Sequence, residues 1–214
     1  MLKNTRESDT SDNAGLGARL RKLRKTRRMT LQAVADKAGL TTGFISQVER
    51  DIAAPSLSSL MSIAEALDAH VTDFLKSPRN DRETTHGSHR ERYAVPGGTN
   101  QYERLSTRFP GSQLSAVLLH EPPGHRSEAI SHRGEELYFV LAGEITVSVD
   151  GTQSVLREGD SIHFDSNRTH FTWNHSDRPA TFIVCNTMDV FGDDDGGRSQ
   201  AHDSDTNRQG EDEK

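Results

Sequence analysis

The hydrophobic period changes once along this chain, and that change limits the folds open to it. From Gly15 to Lys76 apolar residues recur at three- and four-residue spacings; from Tyr93 to about Met188 they come in short alternating runs. The first pattern buries one stripe of a helix and the second buries one face of a strand, so the two halves need different elements. A multidomain α + β chain follows, an all-α unit ahead of an all-β one. In front, Leu16, Leu20 and Leu23 form one stripe of "GLGARLRKLRKTRR". Thr30 reads as the N-cap of "LQAVADKA", whose Leu31, Val34, Ala35 and Ala38 face inward, and Gly39 as its stop. Thr41 opens "TGFISQVER", with Ile45 and Val48 inward. Two short helices joined by a tight turn containing Gly are the helix-turn-helix arrangement. "PSLSSLMSIAEALDAHVTDFL" predicts two further helices that close the core with Leu57, Leu60, Ile63, Ala64, Leu67, Val71, Phe74 and Leu75.

Behind, "EITVSVDG" places Ile145, Val147 and Val149 on one face, with Asp150-Gly151 as a hairpin turn. "QLSAVLLH", "ELYFVLAG", "DSIHFD", "THFTWN" and "ATFIVCN" are further strands, and many short strands with close turns indicate a sandwich or barrel. The expected boundaries are a disordered tail over 1–12, a helical domain over 13–76, a linker over 77–92, a β domain over 93–188 and an acidic disordered tail over 189–214. That last segment has nine acids, three bases and almost no apolar residues, so it cannot pack.

The net charge of −6 hides an asymmetry: through Arg79 there are 13 Lys/Arg and 9 Asp/Glu, and afterwards 13 and 23. A basic front, +4 against −10 for the remainder, suits a polyanion. With Ile45 and Val48 inward, Thr42, Gly43, Ser46, Gln47 and Arg50 lie on or near the opposite face, with Thr41 at the cap. These six are the candidate DNA-contacting residues, because small and amide side chains suit base edges and Arg suits guanine or phosphate. A helical interaction domain with merely solvated charges is the alternative. No run approaches the ~20 apolar residues of a membrane span, and "MLKNTRESDTSDNAG" has no apolar signal-peptide core, so a cytoplasmic chain is expected. Cys185, the single cysteine, has no internal disulfide partner and reads as a buried strand thiol.

In "ISHRGEELYFVLAG" His132 and Glu136 stand four apart, a spacing that suits a metal or a polar ligand group. Two family resemblances frame the chain. "MTLQAVADKAGLTTGFISQVERDIAAPSLSSLMSIAEALD" resembles the Cro/C1-type (XRE family) helix-turn-helix domain in Ala35 and Gly39, in Ile45, Ser46 and Glu49, in its Pro-Ser-Leu, and in Ile63 to Leu67. The resemblance implies DNA binding, and a pair between Arg24 and Glu49. The stretch from Gly124 resembles a cupin, a double-stranded β-helix or jelly-roll-like barrel. Its first motif, Gly-x5-His-x-His-x3-Glu-x6-Gly, matches at Gly124, His132, Glu136 and Gly143, with Ile130 where the first His belongs. Its second, Gly-x5-Pro-x-Gly-x2-His-x3-Asn, matches at Gly159, His170 and Asn174, with Asp165 and Asn167 in place of Pro and Gly.

Cupin metals sit on three His and one Glu; His132, Glu136 and His170 remain here, enough to hold a divalent metal with open positions. Ile130 puts an apolar wall at the fourth place, which suits an organic ligand. Metal site, ligand pocket and inert pocket all stay open. The pocket residues expected are His132, Glu136, His170, Ile130 and His163, the last from a strand near the site; His120 and His125 read as surface or loop, Phe171 and Trp173 as core. The resemblances together imply a transcriptional regulator, not an enzyme: a homodimer on a near-palindromic DNA operator, modulated by a small-molecule effector in the cupin. A metal-dependent cupin oxygenase, isomerase or lyase with a DNA-binding head is the rival, and a barrel that only dimerises is a third reading.

Overall fold

The computed structural model describes residues 15–75, 82–107, 109 and 111–187. The segments expected to be tails, 1–12 and 189–214, and the start of the expected linker lie outside the described residues.

Four helices make the front: α1 Leu16–Thr26, α2 Leu31–Ala38, α3 Thr42–Glu49 and α4 Leu57–Ala66. Each of the last three starts where a side-chain oxygen takes an otherwise unpaired N–H of the first turn. Thr30 accepts from Ala33, Thr41 from Phe44 and Ser56 from Ser59. α2 stops at Gly39, whose φ of +65° is the left-handed conformation that glycine enters at least cost. Leu20, Val34, Ile45, Leu60, Ile63 and Leu67 are almost wholly buried among these helices. Leu23 and Leu31, expected inward, are only half-buried at the edge of the core. Of the two further helices expected after Ala53, only α4 is a full helix. Beyond Asp68, at φ +53°, the chain makes a single 3-10 turn over Val71–Asp73, in which the Asp73 carboxylate accepts from the His70 N–H.

Nine strands follow: β1 Arg92–Tyr93, β2 Gln101–Arg104, β3 Ser115–Glu121, β4 Glu135–Ala142, β5 Glu144–Val149, β6 Thr152–Arg157, β7 Ser161–Asp165, β8 His170–Trp173 and β9 Ala180–Asn186. One sheet runs β1-β2-β3-β9-β4-β7 and the other β6-β5-β8, with every pairing antiparallel. Asp150 and Gly151 turn the β5–β6 hairpin with positive φ at both positions, a turn whose twist matches its strands. The later part of the expected linker is tied to this β unit: Arg90 and Arg92 both donate to the buried Glu103.

Strand alternation decides which side chains enter the barrel. On β4, Glu136, Tyr138 and Val140 are buried while Leu137, Phe139 and Leu141 face out. On β9, Phe182, Val184 and Asn186 point in, which leaves Cys185 on the outer face and half-buried. The expected strand for Cys185 is there, but the apolar run did not reveal the face. Phe171 and Trp173 are likewise half-buried, outside the core, with the Arg126 guanidinium 4.3 Å from the Phe171 ring centre. The two units share one continuous core, because α4 packs its first turns onto the barrel.

Candidate functional site: an exposed helix face and a barrel pocket

In the helical unit, the α1 cations divide by what they hold. Arg24 grips Glu49 through two bonds, Nε to Oε1 at 2.5 Å and Nη2 to Oε2 at 2.9 Å, and its Nη1 donates to the Met29 carbonyl at 2.9 Å. Arg19 donates to the Asp73 and Phe74 carbonyls, and Arg27 to those of Leu67 and Asp68. Arg21, Lys22, Lys25 and Arg28 are exposed.

On α3 the candidate contacts fall on the side away from Ile45 and Val48. Gly43, Gln47 and Arg50 are exposed, and Thr42 and Ser46 partly so. Thr41 is exposed, but its hydroxyl is engaged as the helix cap. Thr42 donates to Gln32 Oε1 at 2.7 Å, and Gln32 in turn donates to Asp36. Gln32 therefore joins this face from α2. The sequence reading missed it because the contact crosses between helices, although an exposed amide on the first turn of α2 was a usable signal. Nothing lies within 4 Å of where a Gly43 side chain would start, so another backbone can approach there.

In the barrel, three candidate ligands converge. Glu136 comes from β4, His170 from the start of β8, and His132 from the loop before β4, where its N–H donates to the Ser166 carbonyl at 2.9 Å. One donor atom from each lies within 4.8 Å of the others. His132 Nε2 is 3.2 Å from Glu136 Oε1 and His170 Nε2 is 3.3 Å from Oε2. Each imidazole turns its Nδ1 to a backbone carbonyl, His132 to Arg133 and His170 to Arg168. A carbonyl only accepts, so Nδ1 carries the proton and each neutral ring presents a bare Nε2 lone pair to the carboxylate. Lone pairs facing a carboxylate need a cation between them or a proton on a ring. The donor set fits a divalent metal on those grounds, with both rings oriented through the far nitrogen as metal-bound imidazoles are.

The electrostatics agree. Burial pushes the Glu136 carboxyl up, but the His132 hydrogen bond, the charges of His170 and His132 and the Tyr138 bond outweigh it and hold it below the usual range. Burial pushes His132 down, yet its bond to Glu136 and the carboxylate charge raise it overall. For His170 burial wins and its pKa falls. Tyr138, two residues on from Glu136 and therefore on the same strand face, donates to Glu136 Oε2. Strand alternation alone could have marked it.

Ile130, 3 % exposed, pairs by backbone with His170 and lines the pocket in place of a fourth donor. His163 does not enter the site. It sits opposite Leu137 on the outer face of β7, more than half exposed, and pairs with Glu135 at 2.9 Å, because the period of two that brings Ile162 and Phe164 inward turns it out. His125 is half-buried against Asn100, and His120 bonds Glu103 on the outer side of β3. Asn174, in the second motif, is fully buried and ties the chain together through the Glu121 and Arg178 carbonyls. Among the described residues Glu121 is also wholly buried with neither carboxyl oxygen hydrogen-bonded, and burial pushes its pKa up to about 8.

Two family models match the chain, a helix-turn-helix over residues 20–74 and a cupin domain over residues 117–186. The HTH-type transcriptional regulator PuuR of Escherichia coli is 24% identical over 82% of this chain and 96% of its own length. A beta-D-galactosidase of Mycobacterium tuberculosis is 31% identical, but over 47% of this chain. An HTH_3 family transcriptional regulator from Vibrio cholerae has a solved structure that covers 80% of this chain and 94% of its own, with TM-score 0.53 and 22% identity, and so shares the fold. The regulators match across both units and the galactosidase across only half of the chain, so the regulator reading is the stronger. The chain therefore joins an XRE-type helix-turn-helix domain to a cupin domain, and relatives matched along both units are HTH-type transcriptional regulators.

Proposed function

We propose that this regulator reads a near-palindromic operator with Thr42, Gly43, Ser46, Gln47 and Arg50, Thr41 capping the reading helix, and that a small-molecule effector in the cupin modulates its affinity. The observation that carries the effector half is the buried, incompletely satisfied polar set. His170 Nε2 and Asn186 Oδ1 have no hydrogen-bond partner among the described residues, though both side chains are more than nine-tenths buried. Buried polar atoms left without partners are rare and costly, and a bound group would satisfy them. A pocket that is mostly apolar with a few placed polar groups is the usual form of a small-molecule site.

His132, Glu136 and His170 would hold a divalent metal, with Ile130 leaving one side to solvent or ligand. Such an ion would act as a Lewis acid that orients an oxygen or nitrogen of the effector. Two copies act together in this reading. Leu137, Phe139 and Leu141 are each about two-fifths exposed on the outer face of β4, next to the half-buried Ile183, and a second copy covering that apolar strip would pair two reading helices. A cytoplasmic location suits DNA binding, and no described helix is long and apolar enough to cross a membrane.

The test is selection of operator DNA with the purified full chain, followed by titration with metal and with extracts fractionated for small molecules. A selected near-palindrome whose affinity changes with one fraction, and a loss of that change in His170→Ala with operator binding kept, is the expected result. Random selected sequences would sink the operator reading. An unaltered response in His170→Ala would sink the pocket reading.

A further inference from the structure

The barrel pocket is not closed by the barrel alone. Its space of about 50 Å³, partly open to solvent, lies between Leu57 and Met61 of α4, in the helical unit, and Ile130, Tyr138, His170 and Asn186 of the cupin. The first turn of α4 is fastened to the cupin by groups that helix geometry would otherwise leave unpaired. Glu128 Oε2 accepts from the Ser56 N–H at 3.2 Å and from the Ser59 hydroxyl at 3.0 Å, and Tyr102 Oη accepts from the Leu57 N–H at 3.2 Å. A carboxylate at a helix N-terminus is also favoured by the helix dipole. A second contact joins the same units: the helix-turn-helix turn at Gly39 packs so closely on the Ser131 carbonyl that a Cβ there would collide with it. Ser131 directly precedes His132.

We infer that the effector site is shared between the two domains, with Leu57 and Met61 of the DNA-binding domain as its fourth wall, and that an effector enters by lifting α4 from Glu128 and Tyr102. This rests on the pocket reading above and adds its regulation. The size of the space decides the mode. Pockets for organic ligands run to roughly 300–1,000 Å³, several times what α4 leaves when seated. The ligand class is an organic molecule with an apolar body, to meet Leu57, Met61 and Ile130, and one hydrogen-bond donor for Asn186 Oδ1. Seating of α4 and occupancy by such a ligand exclude each other. By linkage, whatever orientation of the head the operator selects then shifts ligand affinity, and the ligand shifts operator affinity by the same factor.

A reversible strap tests this. A Cβ on Gly97 would lie 3.5 Å from the Ala54 Cβ, within disulfide reach, so Ala54→Cys with Gly97→Cys, in a Cys185→Ser full chain, can tie the segment leading into α4 to the cupin. The probe is N-phenyl-1-naphthylamine, an uncharged apolar body with one N–H donor, too large for the seated space. We expect the reduced protein to bind it and the oxidised protein to bind at least tenfold more weakly, with dithiothreitol restoring binding. Because Gly97 has φ +81°, where a Cys is strained, Glu128→Gln supplies a second measurement. It loosens the α4 anchor and should tighten probe binding several-fold. Ile130→Trp fills the pocket and should abolish the strap-sensitive binding. Equal binding in both redox states and in Glu128→Gln, with loss in Ile130→Trp, would overturn the shared site while leaving a cupin pocket. Indifference to all three changes would overturn the pocket reading as well.

Discussion

Two buried acidic sites, one in each unit, treat charge in opposite ways. In the helical head, Arg24 and Glu49 form a closed set: the guanidinium meets both carboxylate oxygens and one backbone carbonyl. In the barrel, Glu121 is more deeply buried and has neither oxygen hydrogen-bonded among the described residues, while His170 and Asn186, which line the pocket, each keep one atom without a hydrogen bond. A satisfied buried pair holds one conformation together, and breaking it is expensive. Unsatisfied buried groups cost stability and are retained where a ligand, ion or proton completes them. The Arg24–Glu49 site is therefore built to keep its shape and the pocket side of the barrel to receive something.

The largest test of this contrast removes one partner of the closed pair. Glu49→Ala leaves Arg24 half-buried without its carboxylate and should cost about 3 kcal/mol, seen as a lower melting temperature of the full chain without DNA. An unchanged melting temperature would show that the pair contributes nothing.

The barrel should respond with the opposite sign. Glu121 has its pKa raised to about 8, so its neutral form suits the folded state. Its contribution is fully present below the unfolded carboxyl pKa and is lost as pH rises through that range toward about 8. Glu121→Gln keeps the shape without the charge. It should match the parent near pH 5 and be more stable at pH 8, on the order of 2 kcal/mol. Parallel melting curves for the two proteins across that range would disprove the account.

Next in size is the reading face. Gln47→Ala should weaken operator binding by about 1–2 kcal/mol and random DNA much less, without changing stability. Equal losses on both DNAs would assign Gln47 to the backbone instead of to sequence. The smallest effect belongs to His163, whose pair with Glu135 is exposed on both sides. His163→Ala should alter stability by less than about 0.5 kcal/mol and leave metal retention unchanged. A clear fall in bound metal would return His163 to the site.

Much of the fold was legible because its signals are local. Thr30, Thr41 and Gly39 mark helix ends by the chemistry of a single turn, and Asp150-Gly151 marks a hairpin the same way. His132, Glu136 and His170 were legible as a set only through motif spacing, since they come from three separate segments. The misses share a cause. His163 and Cys185 lie on strands as expected but on the outer face, and the 3-10 turn at Val71 replaced a helix that apolar periodicity alone suggested. Where polar and apolar residues do not alternate cleanly, only the pairing register decides which way a side chain points.

By itself, the amino-acid sequence determined the two kinds of element, the order of the units, the capped helix-turn-helix and the candidate residues for DNA or an ion. Those follow from period, capping and side-chain chemistry, all acting within a few residues. The tertiary structure decided that Gln32 joins the exposed face of α3, that Glu121, His170 and Asn186 keep atoms without a hydrogen bond, and that α4 of the head walls the cupin pocket. Each of these is a contact between segments distant in the chain, such as Ser56 with Glu128. Such contacts depend on how packed surfaces meet in space, and no local pattern encodes that.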